Sequence, residues 1–373
     1  MSAQICHISV LNPALHPRIF YKLAKSQRKL GYTVSILAQD QLKTSYENEG
    51  IRIHPIRPFH RLSFRRLFFS FLNYRRAKQI KADVYVLHSP ELLLMGLILR
   101  WRLGSKLIYD VHEDYARTFR AVSHYPGLIG RALSGMVRAL EKWAIKYIDA
   151  VSYAEDCYDN VLGVENDRKF FLRNKFQHQR LETAQEFIPP FTHYMLYSGT
   201  LAEDWGIFKS LDIWEKWNAY EPLNFVMAGV SPRKEIIQQI QTRVDKSPYK
   251  DRFLLIGGDT YVPYANIMSL VRHCSFGTAL YYIKPYIQGK MPTKFYEYMA
   301  YDKPLIYSKE ESWDRFNEKE QLGFAWEKHT DVLSLMESLK VWEGNPPEHK
   351  LNSYSWIGEE EELERMMKEL FKN

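Results

Sequence analysis

Short apolar runs alternate with helical patterns along the whole chain, and this alternation constrains the fold more than any other feature. In the first half, the runs predicted as strands are Ile5–Val10, Thr33–Ala38, Ile51–Ile56, Val84–His88, Lys106–Tyr109, Ala150–Tyr153 and Phe170–Leu172. After a polar stretch they resume as Tyr194–Ser198, Asn224–Ala228, Phe253–Ile256, Ser275–Leu280 and Pro304–Tyr307. Apolar strands that alternate with helices predict an α/β protein whose parallel sheets are covered on both faces.

The length of 373 residues is sufficient for two such domains. The polar stretch QHQRLETAQEFIPP interrupts the alternation, so we expect an N-terminal domain at 1–178, a linker at 179–190 and a second domain at 191–355. Both are expected to be Rossmann-like and doubly wound, with ligands bound in the cleft between them. A last helix, 356–373, begins after Ser355 as a plausible N-cap. It packs either on its own domain or back on the first.

Composition and cysteine usage favour a cytoplasmic protein. The three cysteines lie far apart and form no CxxC pair, which argues against a disulfide framework or a zinc site. The N-terminal apolar run resembles a strand rather than a signal peptide. The longest apolar run, Leu92–Leu99, is too short to span a bilayer.

One segment, residues 57–81, carries eight Arg and Lys residues and no acid, more than the whole net charge of +7. Six aromatic residues are interleaved with these charges. A basic face beside an aromatic face predicts a helix on an anionic membrane surface, here a peripheral position on the inner face of the membrane. The alternative is an ordinary helix with a solvated basic face. No nucleic-acid motif accompanies the segment, so nucleic acid is not an expected partner.

Several common catalytic motifs are absent from the sequence. It contains no GxxxxGK or GxGxxG loop, no GxSxG elbow, no Asp-x-Asp pair and no HExxH. We therefore expect no metal and no cofactor. A phosphate site, if present, must consist of helix amides and single basic residues.

The stretch GKMPTKFYEYMAYDKPLIY, from Gly289 to Tyr307, meets that condition. Pro292 suits the first position of a helix, which leaves the amides of Thr293 and Lys294 free to bind an anion. Glu297 lies on the same helix face and could accept hydrogen bonds from vicinal ribose hydroxyls. A local ion pair between Lys294 and Glu297 is the alternative, and the residues alone leave both interpretations open.

The same stretch resembles the donor-nucleotide segment of family 4 glycosyltransferases, the retaining GT-B type, in the subgroup with P-x-K-x-x-E-Y-M-A. Further blocks resemble this family in order and spacing: HPRIFYKLAKSQRKLGYTVSILA, HSPELL, KLIYDVHEDY, FLRNKF and YSGTLAEDWGI. The resemblance covers the whole chain. It implies a GT-B fold with an interdomain cleft, and a last helix that returns to the first domain.

The resemblance also implies roles for individual residues. Those expected in catalysis are His112, Lys294 and Glu297. Those expected at the nucleotide are Thr293, Lys294, Glu297, Lys290, Gly199 and Thr200. Those expected at the donor sugar are Gly289, Gln288, Tyr286 and His112, and those expected at the acceptor or phosphate are Arg18, His16, His88 and Glu113. For His112, the alternative is a loop histidine bonded to Asp110 or Glu113.

Three positions depart from the family pattern. Gly289 stands where a glutamate usually holds the donor sugar, and Thr200 and Trp205 stand where many members have an arginine and a lysine. These departures keep open a non-catalytic scaffold that binds sugar nucleotides.

The expected activity is that of a retaining, metal-independent hexosyltransferase in polysaccharide biosynthesis. It would move glucose from a UDP-sugar to a glycan or lipid-linked acceptor. Mannosyl transfer from GDP-mannose is the alternative within this class, and nucleotide-sugar 2-epimerisation is disfavoured because the resemblance lies with transferases.

Overall fold

The computed structural model describes residues 2–58, 65–121, 127–159, 161–177, 187–327 and 331–372. The strands within them are β1 Gln4–Pro13, β2 Thr33–Gln39, β3 Tyr46–Asn48, β4 Ile51–Ile56, β5 Val84–Leu87, β6 Lys106–Val111, β7 Ala150–Tyr153, β8 Lys169–Phe171, β9 Tyr194–Ser198, β10 Asn224–Val230, β11 Phe253–Gly258, β12 Phe276–Ala279, β13 Leu305–Ser308 and β14 Gly323–Trp326. The α-helices are α1 Lys25–Lys29, α2 Arg65–Ile80, α3 Leu93–Leu103, α4 Tyr115–Ala121, α5 Gly127–Ala144, α6 Ile207–Asn218, α7 Lys234–Lys246, α8 Tyr264–His273, α9 Thr293–Met299, α10 Glu311–Glu320, α11 Val332–Gly344, α12 Leu351–Tyr354 and α13 Ile357–Phe371. A π-helical segment, Pro17–Ala24, leads directly into α1.

The chain forms two compact units, Met1–Gln177 with Trp356–Asn373, and His178–Ser355. Each has its own sheet, with strand order β3-β4-β2-β1-β5-β6-β7-β8 in the first and β11-β10-β9-β12-β13-β14 in the second. All described strand pairs are parallel except β3 with β4. The predicted α/β fold with two parallel sheets is therefore confirmed. The sequence reading missed β3, a three-residue edge strand, and β14.

Alternate residues of β1 face two different cores, so this strand needs apolar residues on both of its faces. In β1, Cys6 and Ile8 pack in one core with residues of α2, α3 and α5. Their neighbour Ile5 packs in another core with Leu363 and Met367 of α13. Because successive side chains of a strand point to opposite faces, both faces of the sheet are covered.

The C-terminal residues 356–373 belong to the first unit. The indole of Trp356 is buried and donates a hydrogen bond to Ser26 Oγ at 2.9 Å. The buried carboxylate of Glu359 pairs with Lys175 at 2.7 Å and accepts the backbone N–H of Arg173 at 2.9 Å. The helix begins at Ile357, with Trp356 rather than Ser355 at its N-cap.

The basic segment 57–81 is described in part, since residues 59–64 lie outside the described ranges. In α2, Phe69 and Ala77 are buried against the first unit, as an ordinary packed helix requires. Phe68 and Leu72, four residues apart, are instead 59% and 62% exposed. Of the helices in the described ranges, none is long and apolar enough to cross a membrane.

We expect Trp356→Ala to destabilise the first unit by about 3–5 kcal/mol, because it removes a large buried side chain and leaves Ser26 without its donor. Lys368→Ala, on the exposed face of the same helix, should change stability by no more than about 0.5 kcal/mol. Urea unfolding followed by circular dichroism measures both, and equal midpoints for the two variants would contradict the packing described here.

Candidate functional site

Asp110, near the end of β6, is the centre of a polar cluster in the first unit. Its carboxylate is fully buried and accepts two hydrogen bonds from the Arg18 guanidinium, Nε to Oδ2 at 2.9 Å and Nη2 to Oδ1 at 2.6 Å. Ser152 Oγ donates to Oδ1 at 2.7 Å. Burial raises the pKa of Asp110, but Arg18 and then His112 outweigh it and hold that pKa well below its usual range. The carboxylate is therefore charged at neutral pH.

Three histidines form a line of contacts that leads from this carboxylate into the protein interior. His112 Nε2 lies 2.7 Å from Asp110 Oδ2, and His88 Nδ1 lies 3.1 Å from the same oxygen and 2.9 Å from His112 Nε2. His88 Nε2 lies 2.9 Å from His7 Nδ1, and His7 Nε2 lies 2.6 Å from Gln27 Oε1. Burial is the main cause that lowers the pKa of His88 to about 3 and that of His7 to about 4. Both rings are neutral at pH 7.

The topology explains why residues so far apart in sequence meet here. The strands β1, β5, β6, β7 and β8 are adjacent and parallel, so their carboxyl ends share one edge of the sheet. His88 follows β5 directly, and Asp110 and His112 lie at the end of β6. Arg18, from the π-helical segment, reaches the same edge and also donates to the Leu172 carbonyl after β8 at 2.5 Å. Open α/β sheets bind ligands at this edge.

A cavity of about 360 Å³ opens over the cluster. Its lining includes the predicted acceptor-site residues and His112. The full lining consists of Ser9, Leu11, Asn12, His16, Arg18, Gln39, His88, Ser89, His112, Glu113, Tyr115, Ala154, Glu155 and Asn174. His16 stacks on His112 with ring centroids 5.9 Å apart. Burial is the main cause that lowers the pKa of His16 to about 3. The cavity is polar and offers both hydrogen-bond donors and acceptors.

Arg18 and His112, both predicted to contact ligands, form hydrogen bonds within the protein. Arg18 is 2% exposed and its described hydrogen bonds go to Asp110 and Leu172, so it acts first as the partner of the buried carboxylate. His112 is bonded to Asp110, as one alternative proposed, and it also lines the cavity. Lys22 donates to Asn174 Oδ1 at 2.5 Å at the same edge.

Three atoms of the cluster lie close enough together to bind one metal ion: His88 Nδ1, Asp110 Oδ2 and His112 Nε2. Tetrahedral ligands at 2.0–2.1 Å from a zinc ion would be roughly 3.3 Å apart. The observed separations of 2.7, 2.9 and 3.1 Å are those of hydrogen bonds. Because the carboxylate already accepts hydrogen bonds from Arg18 and Ser152, the set fits a shared proton better than a metal. Metal independence itself stays a prediction.

In the other unit, the predicted nucleotide-binding residue Lys294 is a buried lysine of α9. Its Nζ lies 4.3 Å from the ring centroid of Tyr197 and 5.4 Å from that of Tyr281. A Cβ placed on Gly199, which has φ +110°, would lie 3.5 Å from Lys294 Cε. Burial lowers the pKa of Lys294 to about 7, although the nearby Glu297 carboxylate raises it in part. The cation is thus held in a desolvated place that favours the neutral amine.

The helix that carries Lys294 begins one residue later than predicted. Pro292 is its N-cap and Thr293 its first residue, and α9 has seven residues. The first described backbone hydrogen bond runs from the Phe295 N–H to the Pro292 carbonyl at 3.0 Å. The backbone N–H groups of Thr293 and Lys294 therefore lie before the first hydrogen bond of the helix, as the anion site predicted from the sequence requires. Glu297 is buried and accepts a hydrogen bond from Tyr264 Oη at 3.1 Å.

The described hydrogen bonds of the predicted donor-sugar residues in the second unit go to neighbours other than Lys294. The Tyr286 hydroxyl donates to Asp204 Oδ2 at 2.8 Å, and the backbone N–H of Gln288 donates to the Lys284 carbonyl at 3.1 Å. The Lys290 carbonyl accepts the indole N–H of Trp313 at 2.6 Å. The Thr200 carbonyl likewise accepts the hydroxyl of Tyr197 at 2.7 Å.

A carboxylate does approach Gly289, although the family's glutamate is missing there. Glu310 Oε1 accepts the Gly289 amide at 3.2 Å, while Oε2 accepts the amides of Ser312 and Trp313 at the start of α10. This carboxylate is engaged as a helix cap.

Sequence reasoning missed His7, Gln27, Tyr197 and Tyr281, and assigned Asp110 only as a partner of His112. His7, Tyr197 and Asp110 lie within buried strands, where the pattern predicts packing and gives no signal of chemistry. A polar residue inside an otherwise apolar strand, as in ICHISV and LIYDV, is the signal that could have found His7 and Asp110.

We expect Asp110→Asn to destabilise the first unit by about 3–5 kcal/mol, because it leaves the buried Arg18 guanidinium without its counter-charge. Adding Arg18→Met to this variant should recover part of the loss. Asp212→Asn, which removes an exposed partner of Arg243, should cost no more than about 1 kcal/mol. Denaturant unfolding measures all three, and equal losses for Asp110→Asn and Asp212→Asn would contradict the assignment.

Comparisons with known proteins agree with this architecture. Residues 17–159 match the model of the glycosyl transferase 4-like domain. A comparison with curated protein sequences found no match. Among solved structures, sucrose-phosphate synthase from Thermosynechococcus elongatus is similar with a TM-score of 0.71 at 13% identity, covering 99% of each chain.

Two further structures are similar over nearly the whole chain. Alr3699/HepE of Anabaena, solved in complex with UDP, has a TM-score of 0.64 at 11% identity and covers 99% of this chain and 100% of its own. The trehalose-6-phosphate protein of E. coli, bound with UDP-2-fluoro glucose, has a TM-score of 0.61 at 11% identity and covers 98% and 96%. The chain thus has the GT-B fold and contains, at residues 17–159, a region that matches the glycosyl transferase 4-like domain, which together support a glycosyltransferase.

Proposed function

We propose that the chain is a retaining glycosyltransferase that moves a hexose from a nucleotide diphosphate sugar to a glycan or lipid-linked acceptor. Glucose from a UDP-sugar is the expected donor. The observation that carries the proposal is Lys294, a buried lysine held beside Gly199 and two aromatic rings, with a pKa lowered to about 7. The match of residues 17–159 to the glycosyl transferase 4-like domain supports it.

The charge on a leaving diphosphate would be stabilised by Lys294 and by the amides of Thr293 and Lys294. An anion beside a desolvated lysine restores its proton, and preorganised donors of this kind contribute about 3–4 kcal/mol each to transition-state stabilisation. Glu297, one turn further along α9, would accept the ribose hydroxyls, and its hydrogen bond from Tyr264 fixes its orientation. Lys290, Gly199 and Thr200 complete the proposed nucleotide site, and Gly289, Gln288 and Tyr286 the proposed sugar contacts.

In the first unit, His112 would contact the transferring sugar, and the cavity lined by His16, Arg18, His88 and Glu113 would receive the acceptor. Glycosyl transfer passes through an oxocarbenium-like transition state. With retention of configuration, the departing phosphate would take the proton of the acceptor hydroxyl, and no metal is required for that step.

A non-catalytic scaffold that binds sugar nucleotides is the second candidate. It is favoured by Gly289, Thr200 and Trp205, which replace the charged residues found in many family members. Binding without turnover would be its signature.

The function is tested with a panel of UDP-, GDP- and ADP-sugars, GDP-mannose included. A ligand at 100 times its Kd adds about 2.7 kcal/mol of apparent stability, so the unfolding temperature reports the preferred donor. Release of UDP from UDP-glucose should continue in EDTA, and the anomeric configuration of a product identifies retention. Stabilisation by a nucleotide sugar without release of the nucleotide supports the scaffold, and stabilisation by none contradicts the proposal.

The lowered pKa of Lys294 gives a pH-dependent prediction. In the folded chain the pKa is about 7, below its ordinary value of 10.5, so the unfolded state binds more protons between these values and stability rises with pH across that window. A bound diphosphate raises this pKa. Binding of UDP-glucose at pH 8.5 should therefore take up about one proton, and affinity should fall as pH rises from 7 to 10.

Calorimetry in buffers of different ionisation enthalpy measures the uptake. Lys294→Met should weaken binding and abolish proton uptake, whereas Lys309→Met, at an exposed lysine of the same unit, should leave both unchanged. Binding that takes up no proton in the unmodified chain would remove Lys294 from the diphosphate site.

The proposal extends to an anionic membrane surface for a lipid-linked acceptor. The exposed Phe68 and Leu72 of α2 lie on the same helix as Arg75 and Arg76, which are also exposed. Basic residues near an anionic surface contribute about 1 kcal/mol each, and salt screens this attraction.

We expect the chain to sediment with anionic vesicles at low salt, to be released by raised salt, and not to bind neutral vesicles. A variant of the basic segment 57–81 replaces four arginines with Gln, Arg65, Arg66, Arg75 and Arg76, and should lose this binding. The matched control replaces four exposed lysines of the other unit with Gln, Lys216, Lys234, Lys246 and Lys250, and should retain it. Equal binding by the two variants would make α2 an ordinary packed helix.

A further inference from the structure

A continuous chain of hydrogen-bonding side chains runs from the cavity into the first unit behind His112. It passes from His112 through His88 and His7 to Gln27, with separations of 2.9, 2.9 and 2.6 Å between the bonding atoms. We propose that Gln27, His7 and His88 are positioning residues that keep the proton of His112 on Nε2, so that its Nδ1 accepts a hydrogen bond from a hydroxyl group in the cavity. That the hydroxyl belongs to a sugar rests on the proposed function.

The first step is the proton count where the chain meets Asp110. His88 Nδ1, His112 Nε2 and Asp110 Oδ2 are mutually within 3.1 Å. Protons on both nitrogens would direct two donors at Asp110 Oδ2, which already accepts a hydrogen bond from Arg18 Nε, and would leave the 2.9 Å contact between the two nitrogens without an acceptor. With no proton on either nitrogen, three lone pairs would face one another. One proton on one of the two nitrogens satisfies all three atoms, so exactly one of the two rings donates here.

The second step is the direction, which Gln27 decides. Its Nε2 lies 3.8 Å from the Met367 sulfur of α13, a weak acceptor, so its Oε1 is the atom that faces His7 Nε2 at 2.6 Å. His7 Nε2–H must therefore donate to Gln27. Burial keeps His7 neutral, so His7 Nδ1 has no proton and accepts from His88 Nε2–H.

The third step carries this order to the cavity. His88 is neutral too, so a proton on Nε2 leaves its Nδ1 as an acceptor. The donor at the three-atom contact is then His112 Nε2–H, shared between Asp110 Oδ2 at 2.7 Å and His88 Nδ1 at 2.9 Å. When Nε2 carries the single proton of the His112 ring, the lone pair lies on Nδ1. His112 lines the cavity and is 11% exposed, so that atom belongs to the ring that a ligand meets.

Rotation of the Gln27 amide by half a turn would reverse the order. His7 would then carry its proton on Nδ1 and His88 on Nδ1, and His88 would donate to Asp110. His112 would lose its proton on Nε2 and present Nδ1–H to the cavity as a donor. The identity of the buried side chain at position 27 thus determines whether His112 accepts or donates.

The test is histidine-selective 15N NMR of the full chain without ligand, in EDTA. The 15N shifts separate protonated from unprotonated ring nitrogens, and His7→Gln, His88→Gln and His112→Gln assign the signals. We expect the proton of all three rings on Nε2. A proton on Nδ1 of His88 or His112, or a spectrum that changes when EDTA is replaced by Zn²⁺ at the protein's own concentration, would overturn the proposal.

Two variants then test the cause. Met367→Leu removes the sulfur that orients the amide at little packing cost, and Gln27→Met removes the acceptor itself. Each should lower the ratio of Nε2–H to Nδ1–H in His112 by roughly tenfold, the value of one hydrogen bond. Ser26→Ala, which disturbs the adjacent contacts with Trp356 and Glu360, should leave the ratio unchanged. An unchanged ratio in both variants would overturn the proposal.

Activity with UDP-glucose separates the two levels of inference. If the proton order is as expected and kcat/KM falls in Gln27→Met but not in Ser26→Ala, the positioning role in transfer is supported. If the proton order is as expected while no nucleotide sugar binds, the hydrogen-bond order stands and the proposed function fails.

Discussion

The ion pair between Asp110 and Arg18 is the interaction on which the first unit's polar edge depends. A buried carboxylate is costly unless it is paired and its remaining lone pairs are satisfied. Here Arg18 supplies two donors, Ser152 a third and His112 a fourth. Because these residues come from the π-helical segment, β7 and the end of β6, the pair holds the strand ends together and orients His112 at the cavity.

The buried charge of the second unit, on Lys294, has aromatic rings as its neighbours instead of several hydrogen-bond partners. Lys294 is packed against the rings of Tyr197 and Tyr281, and burial lowers its pKa to about 7. Cation–π contacts compensate part of the lost hydration. Where Asp110 is fully compensated within the protein, Lys294 gains most from an anion that comes from outside. Because of this contrast, we propose that the second unit binds the charged part of the ligand, and that the first unit orients a hydroxyl group through hydrogen bonds.

The similar structures share 13% identity or less with this chain, yet they match it over nearly its whole length. Such likeness establishes the fold, whereas function depends on the site. At Gly289 the site differs from the family pattern, and Glu310, which approaches the Gly289 amide, is engaged in capping α10.

The sequence by itself determined the alternation of strands and helices, since apolar periodicity reports burial directly. It also predicted roles for Lys294, Glu297 and His112, because each follows a local signal: a proline that begins a helix, a one-turn spacing, and the end of a strand. Only the tertiary structure decided the roles of His7, Asp110 and Gln27. These residues are separated by up to 103 positions along the chain, and hydrogen bonds between side chains on different strands leave no periodicity in the sequence. Their partners are set by sheet order, which brings β1, β5 and β6 side by side.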